Sequence, residues 1–386
     1  MRTARRYLAS EIYRSSAVVL IALLGLFTFF ALIEELDKVG SKFTLASLFY
    51  IQALELPTRL YDLLPIGLLI GAILALASLA QRNELVILRA SGVSGLRMMV
   101  MLWTVTLPLV AGAFVLSEYV TPMAEIKSSE QGMALLGRSG GGRLDSGYWF
   151  KENKPGNGMR IINIANLQGN GSVSDVSIYD FMDGQRLNMV AQAPSGQFKE
   201  NELVLRDVTE THLSESSHLA LAQAQAPDQP LARIEKRPEL TLQTTLTPDR
   251  LIARVVTPER MSILDLKDYI DYLDANKLQT KRQVVALWRK VAYPFTLLVM
   301  ITIAAPIGFM QTRHGGVGTK VFTGILLGVG FFMVNQLALN VAMLSNLPPW
   351  VTALVPNLIA MALALGALIL MENRHNLRRR HSSVSN

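Results

Sequence analysis

Reactive side chains are thinly spread along this chain, and their spacing excludes more chemistry than it offers. No pattern of Gly, four residues, then Gly-Lys-Ser/Thr occurs, so no phosphate-cradling loop for a nucleotide is evident. The five histidines, His212, His218, His314, His375 and His381, lack metal-ligand spacing, and none lies in an apolar run. There is no zinc-protease helix motif, and without Cys neither a disulfide nor a thiolate metal site can form. Ser and Lys in the hydrophilic insert leave a Ser-Lys hydrolase open, but no pair stands out. No metal or cofactor is expected, and nothing points to nucleic acid. The residues placed to work by contact are those of Gln81–Ser94, a short charged amphipathic segment between two apolar runs. Such a segment either lies on the lipid surface, anchored by Arg, or fits into a cytoplasmic partner.

The elements around that segment are membrane spans. Half of the chain is hydrophobic and only 17% is charged, against about 25% in a soluble domain. Ser15–Ile33, Leu63–Gln81, Met98–Ser117 and Val291–Thr312 are free of charge. Val321–Met371 is uncharged too, long enough for two spans of about 20 residues each (321–344 and 350–371), with Pro348-Pro349 at the turn. Six spans follow, three on each side of a large insert. None contains Asp, Glu, Lys, Arg or His, which disfavours an ion-coupled transporter and favours an external energy source.

Arg2, Arg5, Arg6 and Arg14, then Arg82, Arg89 and Arg97, then Arg313 and Lys320, then Arg374, Arg378, Arg379 and Arg380 fall on one side of the membrane. The positive-inside rule makes that side, with both termini, cytoplasmic. The first span enters Glu34-Glu35-Leu36-Asp37 without a small-residue cleavage site, so it reads as a retained anchor. The domains are then 1–121 (first membrane half, with 81–94 as its cytoplasmic segment), 122–258, 259–290 and 291–386 (second membrane half and basic tail).

Within the extracytoplasmic insert, Tyr148–Lys151, Met159–Leu167, Val176–Phe181, Gln197-Phe198, Leu203–Val208 and Leu240–Leu246 alternate and are bounded by turn clusters. They predict a β-sandwich or jelly roll. Ala220–Pro230 reads as a loose loop. Ser262 and Asp265 form a capping box for a connecting helix with Ile263, Leu266, Ile270 and Leu273 on one face. The fold class is membrane α-helical, 3+3, with an inserted periplasmic β-jelly-roll domain.

At residues 79–94 the string LAQRNELVILRASGVS resembles the coupling-helix signature of the lipopolysaccharide export permease family LptF/LptG. The resemblance also covers LIEELDKVG (32–40), LPIGLLIGAILALASLAQRNE (64–84), SEYVTP (117–122), SIYDF (177–181) and TPDRL (247–251). The QRNELVILRASG form is nearer the G-type than the F-type chains. The resemblance implies a non-catalytic half-permease paired with an LptF-like chain, with a dimer of the ATPase LptB docked beneath. It further implies that lipopolysaccharide passes from the membrane lipid through the β-domain to LptC, with spans 1 and 5 as lateral gates.

On that reading Arg82, Glu84 and Arg89 supply the charged grip on the ATPase, and Leu85 and Leu88 fill its groove. Ala90 and Gly92 permit the close turn. Lys38, Lys42, Arg59 and Lys127 are candidates for lipid A phosphates. Ile161, Ile178 and Leu205 are expected on the inner face of the β-domain, as an acyl-chain groove or as plain core. A mechanotransmitter that moves its insert without lipid passage is the alternative. The position of the insert after the third span disfavours it.

Overall fold

The computed structural model describes residues 2–40, 43–91, 93–136, 147–154, 158–167, 172–182, 186–199, 202–213, 232–244, 257–309, 317–345 and 347–384. Lys42, Gly92, the segment 247–251, the loop 220–230 and the side chain of Arg89 lie outside the described residues.

The first membrane half comprises α1 (Arg2–Leu36), α2 (Leu45–Gln81), the short α3 (Glu84–Ala90) and α4 (Gly95–Val115). A π-helical turn, Leu116–Val120, carries α4 into α5 (Thr121–Leu136). A second helical run follows the β-domain: α6 (Ile263–Ala275), α7 (Lys281–Phe309), α8 (Val317–Leu344) and α9 (Pro349–Val384). Among the described residues, six helices are long and apolar enough to cross a membrane.

Local sequence sets the starts of these helices. Thr44, Ser94 and Ser262 each accept a hydrogen bond from the backbone N–H three residues on, which satisfies an orphan donor. Pro57, Pro65, Pro108, Pro294, Pro306 and Pro356 lie inside helices that continue past them. The helices outrun the uncharged stretches. α2 begins well before Leu63 and α5 extends the third span to Leu136, because charge interrupts hydropathy without interrupting helical hydrogen bonding.

α2 and α7 form the centre of the bundle, each with 61% of its apolar window buried, whereas α1 has 6% and α8 12%. Close approach on α2 is bought by glycine. A Cβ at Gly71 would lie 2.4 Å from Ser16 Cα of α1, and one at Gly67 would strike the Leu20 side chain. Gly324 and Gly328 of α8 face Ile73 and Leu69 of α2, so they serve packing inside the chain, while Gly330 faces open space. The Tyr61 and Tyr293 rings stack at 4.1 Å, and Trp103 Nε1 donates to Thr302 Oγ1 at 3.0 Å.

The inserted domain is one six-stranded antiparallel sheet in chain order, β1 (Tyr148–Lys154), β2 (Gly158–Leu167), β3 (Ser172–Met182), β4 (Arg186–Lys199), β5 (Glu202–Leu213) and β6 (Ala232–Gln243). A crease crosses it. The paired registers skip Asp175, Pro194, Asp207 and Pro238, which stand opposite one another in turn. Asp175 and Asp207 have φ of 53° and 56°, and the prolines lack the N–H that a ladder needs. Burial changes parity there, from Val173 to Val176 on β3 and from Leu205 to Val208 on β5, while the pairing register is unchanged across the crease. The register shifts instead between Asp180 and Phe181. The sheet also curls round. Thr244, just past β6, donates to Glu152 of β1 at 3.2 Å, and Arg160 of β2 donates to Gln243 O at 3.3 Å.

Inside the curl, Phe150, Ile162, Ile164, Ile178, Leu203 and Leu205 form one core with Leu266, Ile270 and Leu273 of α6. Ile178 and Leu205 therefore stand on the inner face, and α6 fills the space beside them. Ile161 does not join them. It pairs with Tyr179 on the outer face, and its neighbour Ile162 opposes Ile178. The strand period of two puts consecutive isoleucines on opposite sides.

Candidate functional site

Asn83, at φ 59°, turns the chain out of α2, and α3 starts at the next residue. Leu85 is 5% exposed and Leu88 packs beside it, in a cluster with Leu8 and Ile12 of α1 and Val93 and Met98 around the start of α4. This corrects the expected assignment of the two leucines to a partner's groove. Their three-residue spacing puts them on one helical face, and that face covers the ends of α1 and α4. Val86 and Ile87 point outward instead, Ile87 at 66% exposure.

Polar contacts tie α3 to α1 as well. Arg82 Nη1 lies 3.9 Å from Glu11 Oε1, and the Tyr7 hydroxyl stands beside Glu84. Glu84 Oε2 is buried and has no hydrogen-bond partner among the described residues. Ser91 Oγ closes the helix on Leu88 O at 2.8 Å, and Ala90 is exposed. Sequence reasoning missed Tyr7, Glu11 and Ile87. The only available signal was the i, i+4 spacing of Leu8 and Ile12 ahead of the first apolar run.

At the opposite end of the bundle, on the side of the β-domain, the basic candidates divide. Lys38 Nζ pairs with Glu35 Oε1 at 3.0 Å, and the other Glu35 oxygen accepts from Gln52 Nε2 at 3.1 Å. Arg59 Nη2 donates to Gln52 Oε1 and to Glu55 Oε2, both at 2.5 Å. Lys38 and Arg59 thus belong to one chain of contacts that joins the end of α1 to α2. Lys127 stands apart, exposed on α5, and makes no hydrogen bond among the described residues.

A second charged cluster was not legible in the sequence. Arg260, in the 3-10 turn Pro258–Arg260, holds Asp62 of α2 at 2.8 Å. Burial pushes the Arg260 guanidinium down, but the Asp62 carboxylate outweighs it and holds it above its usual value. Lys290 Nζ donates to Ser117 Oγ at 3.0 Å, and the backbone N–H of Ile263 donates to Glu118 at 3.0 and 3.2 Å. These residues come from four separate parts of the chain.

In the β-domain the sheet brings His212 beside Glu210 and Glu235, close enough that one ligand atom from each lies within 4.8 Å of the others. Sequence spacing concealed this grouping. Positive charge already reaches it from Arg237, 3.5 Å from both carboxylates, and from Arg233, 3.0 Å from Glu235. Ion pairs thus reach both carboxylates, while Glu210 Oε1 is buried without a hydrogen-bond partner among the described residues.

Among the described residues, six helices long and apolar enough to cross a membrane, three on each side of an inserted antiparallel sheet, define a multi-pass membrane protein. Residues 6–371 match the family described as "Lipopolysaccharide export system permease LptF/LptG", and the chain belongs to that family. Lipopolysaccharide export system permease protein LptG of Escherichia coli K12 is 27% identical over 359 residues, covering 91% of this chain and 94% of that protein. The protein of the same name from Haemophilus influenzae is 26% identical over 375 residues, covering 93% and 96%.

Proposed function

We propose that this chain is the G-type half of an ATP-driven exporter that lifts lipopolysaccharide out of the inner membrane and passes it towards the outer membrane. An LptF-like chain completes the membrane cavity, an LptB dimer in the cytoplasm supplies the energy, and LptC receives the lipid beside the periplasmic β-domain. The chain performs no catalysis itself. Both termini and α3 are cytoplasmic, in keeping with the arginines on that side.

The single observation that carries the reading is α3: a seven-residue helix pinned by Leu85 and Leu88, with Val86 and Ile87 turned outward. A partner pressing on that outer face pushes through the two leucines onto Leu8 and Ile12, and so onto α1. The almost uncovered faces of α1 and α8 support a second chain across the cavity and the role of both helices as gates. Glu84 has a carboxylate oxygen without a hydrogen-bond partner among the described residues. A turn of the side chain outward would present it to a donor from the ATPase, where a charge-assisted bond is strong. Of the basic candidates, Lys127 is exposed, and Lys38, though paired with Glu35, is more exposed than Arg59, which is held by both Glu55 and Gln52. Lys38 and Lys127 are therefore the better placed for lipid A phosphates.

Purification in gentle detergent tests the reading. Recovery of a P-loop ATPase, a homologous six-span chain and bound lipopolysaccharide is expected. Isolation as a lone active hydrolase would overturn it.

A further inference from the structure

A cleft of about 330 Å³ opens between α2, α7, α8 and α9, on the side of the bundle that faces the β-domain. Its charged lining is Asp62, Glu259, Arg260, Arg289 and Lys290, three cations against two anions. Asp62 is engaged by Arg260 at 2.8 Å, Glu259 by Arg282 at 3.4 Å, and Lys290 by Ser117. Arg289 makes no hydrogen bond or ion pair among the described residues, although Glu259 and Asp62 attract it from nearby, and the lining as a whole carries one net positive charge.

Below Arg289 the walls turn apolar, with Ile66, Met300, Phe331 and Phe332, and the cleft reaches down to Gly328. At 1.5 Å per residue, Gly328 lies roughly 24 Å below the end of α8 at Leu344. That depth passes through the headgroup region and one leaflet of about 15 Å of hydrocarbon. Asn335 and Gln336 line the wall partway down and form no hydrogen bond among the described residues, a costly arrangement in dry lipid.

We propose that this cleft binds one monoanionic glycerophospholipid, its phosphodiester on Arg289 and one acyl chain lying between α7 and α8. Charge and size select the occupant together. The one net positive charge of the lining matches one phosphodiester. A volume at the low end of those that take a drug-sized ligand admits a headgroup and the upper part of a chain, but not the several chains of lipopolysaccharide. The glycerol hydroxyls and ester carbonyls fall at the level where the amides of Asn335 and Gln336 need partners. The inference depends on the membrane setting alone and not on the transport reading.

Native mass spectrometry of the complex purified in mild detergent, delipidated and titrated with phosphatidylglycerol, phosphatidylethanolamine or lipopolysaccharide, tests it. One saturable phosphatidylglycerol adduct is expected. Arg289→Ala should weaken it about tenfold or more, the value of one charge-assisted hydrogen bond. Arg206→Ala, on an exposed part of the sheet, should leave it unchanged. Arg289→Gln is the second variant should Arg289→Ala fail to fold. Undiminished phosphatidylglycerol binding by the folded variant, equal binding of phosphatidylethanolamine, or displacement of the adduct by stoichiometric lipopolysaccharide would each overturn the assignment.

Discussion

Arg160 and Asp180 face each other across β2 and β3, Nε to Oδ1 at 2.9 Å, with Lys154 Nζ on the other carboxylate oxygen at 2.6 Å. Both side chains of the first pair are largely buried on the inner face of the β-domain, near the point where Arg160 also reaches the end of β6. The pair therefore fastens the curl of the sheet as well as two adjacent strands.

Burial raises the Asp180 carboxyl, but hydrogen bonds from Arg160 and Lys154 outweigh it and hold the group below its usual value. A carboxyl depressed in the folded state contributes stability above its unfolded value, about 3.9, and loses it as pH falls through the folded one. The wild-type β-domain should keep this contribution at neutral pH and lose it only below about pH 4. Asp180→Asn should cost about 2 kcal/mol at pH 7 and flatten that acid dependence. Hydrogen exchange of β2 and β3 in the full chain, measured at pH 7 and below pH 4, checks both effects.

The two faces of α3 should separate by mutation. Ile87→Asp is expected to abolish co-purification of the ATPase while thermal unfolding stays within about 0.5 kcal/mol of wild type, as for a surface change. Leu85→Ala removes a core side chain and should cost about 2–5 kcal/mol. Pull-down and thermal unfolding of both variants, run side by side, give the comparison.

Gly71 has no room for a side chain, because its Cβ would meet backbone atoms of Ser16 at 2.4 and 2.6 Å. Gly71→Val should push α1 away from α2 and destabilise the bundle by about 1–3 kcal/mol. Gly330→Val, in open space, should not. A distance measurement between labels on α1 and α2 would register the shift in the first variant only.

Lys38 and Arg59 share a network but should respond differently. Lys38→Ala removes an exposed ion pair worth about 0–1 kcal/mol, so loss of lipopolysaccharide transport without loss of stability would place it in the lipid path. Arg59→Ala leaves Glu55 and Gln52 without their donor and is expected to loosen the α1–α2 junction first. Transport and thermal stability, measured for both variants in reconstituted vesicles, distinguish the two roles.

The sequence alone determined the six spans, the inserted β-domain, the capping box at Ser262 and the family, because apolar runs, period-two alternation and contiguous motifs are local properties. It understated β4, which it reduced to Gln197-Phe198. Pro194 reads as a strand breaker until the crease of Asp175, Asp207 and Pro238 is seen around it. It also gave α3 the wrong contact face. The spacing of Leu85 and Leu88 establishes that they point the same way, but only the positions of Leu8 and Ile12 decide that they point inward. The Arg260–Asp62 pair, the Glu118 cap on α6 and the cleft at Arg289 were decided by tertiary structure. Each joins segments far apart in the chain, and a charge's partner depends on which backbones the packing of α2 and α7 brings within a few ångströms.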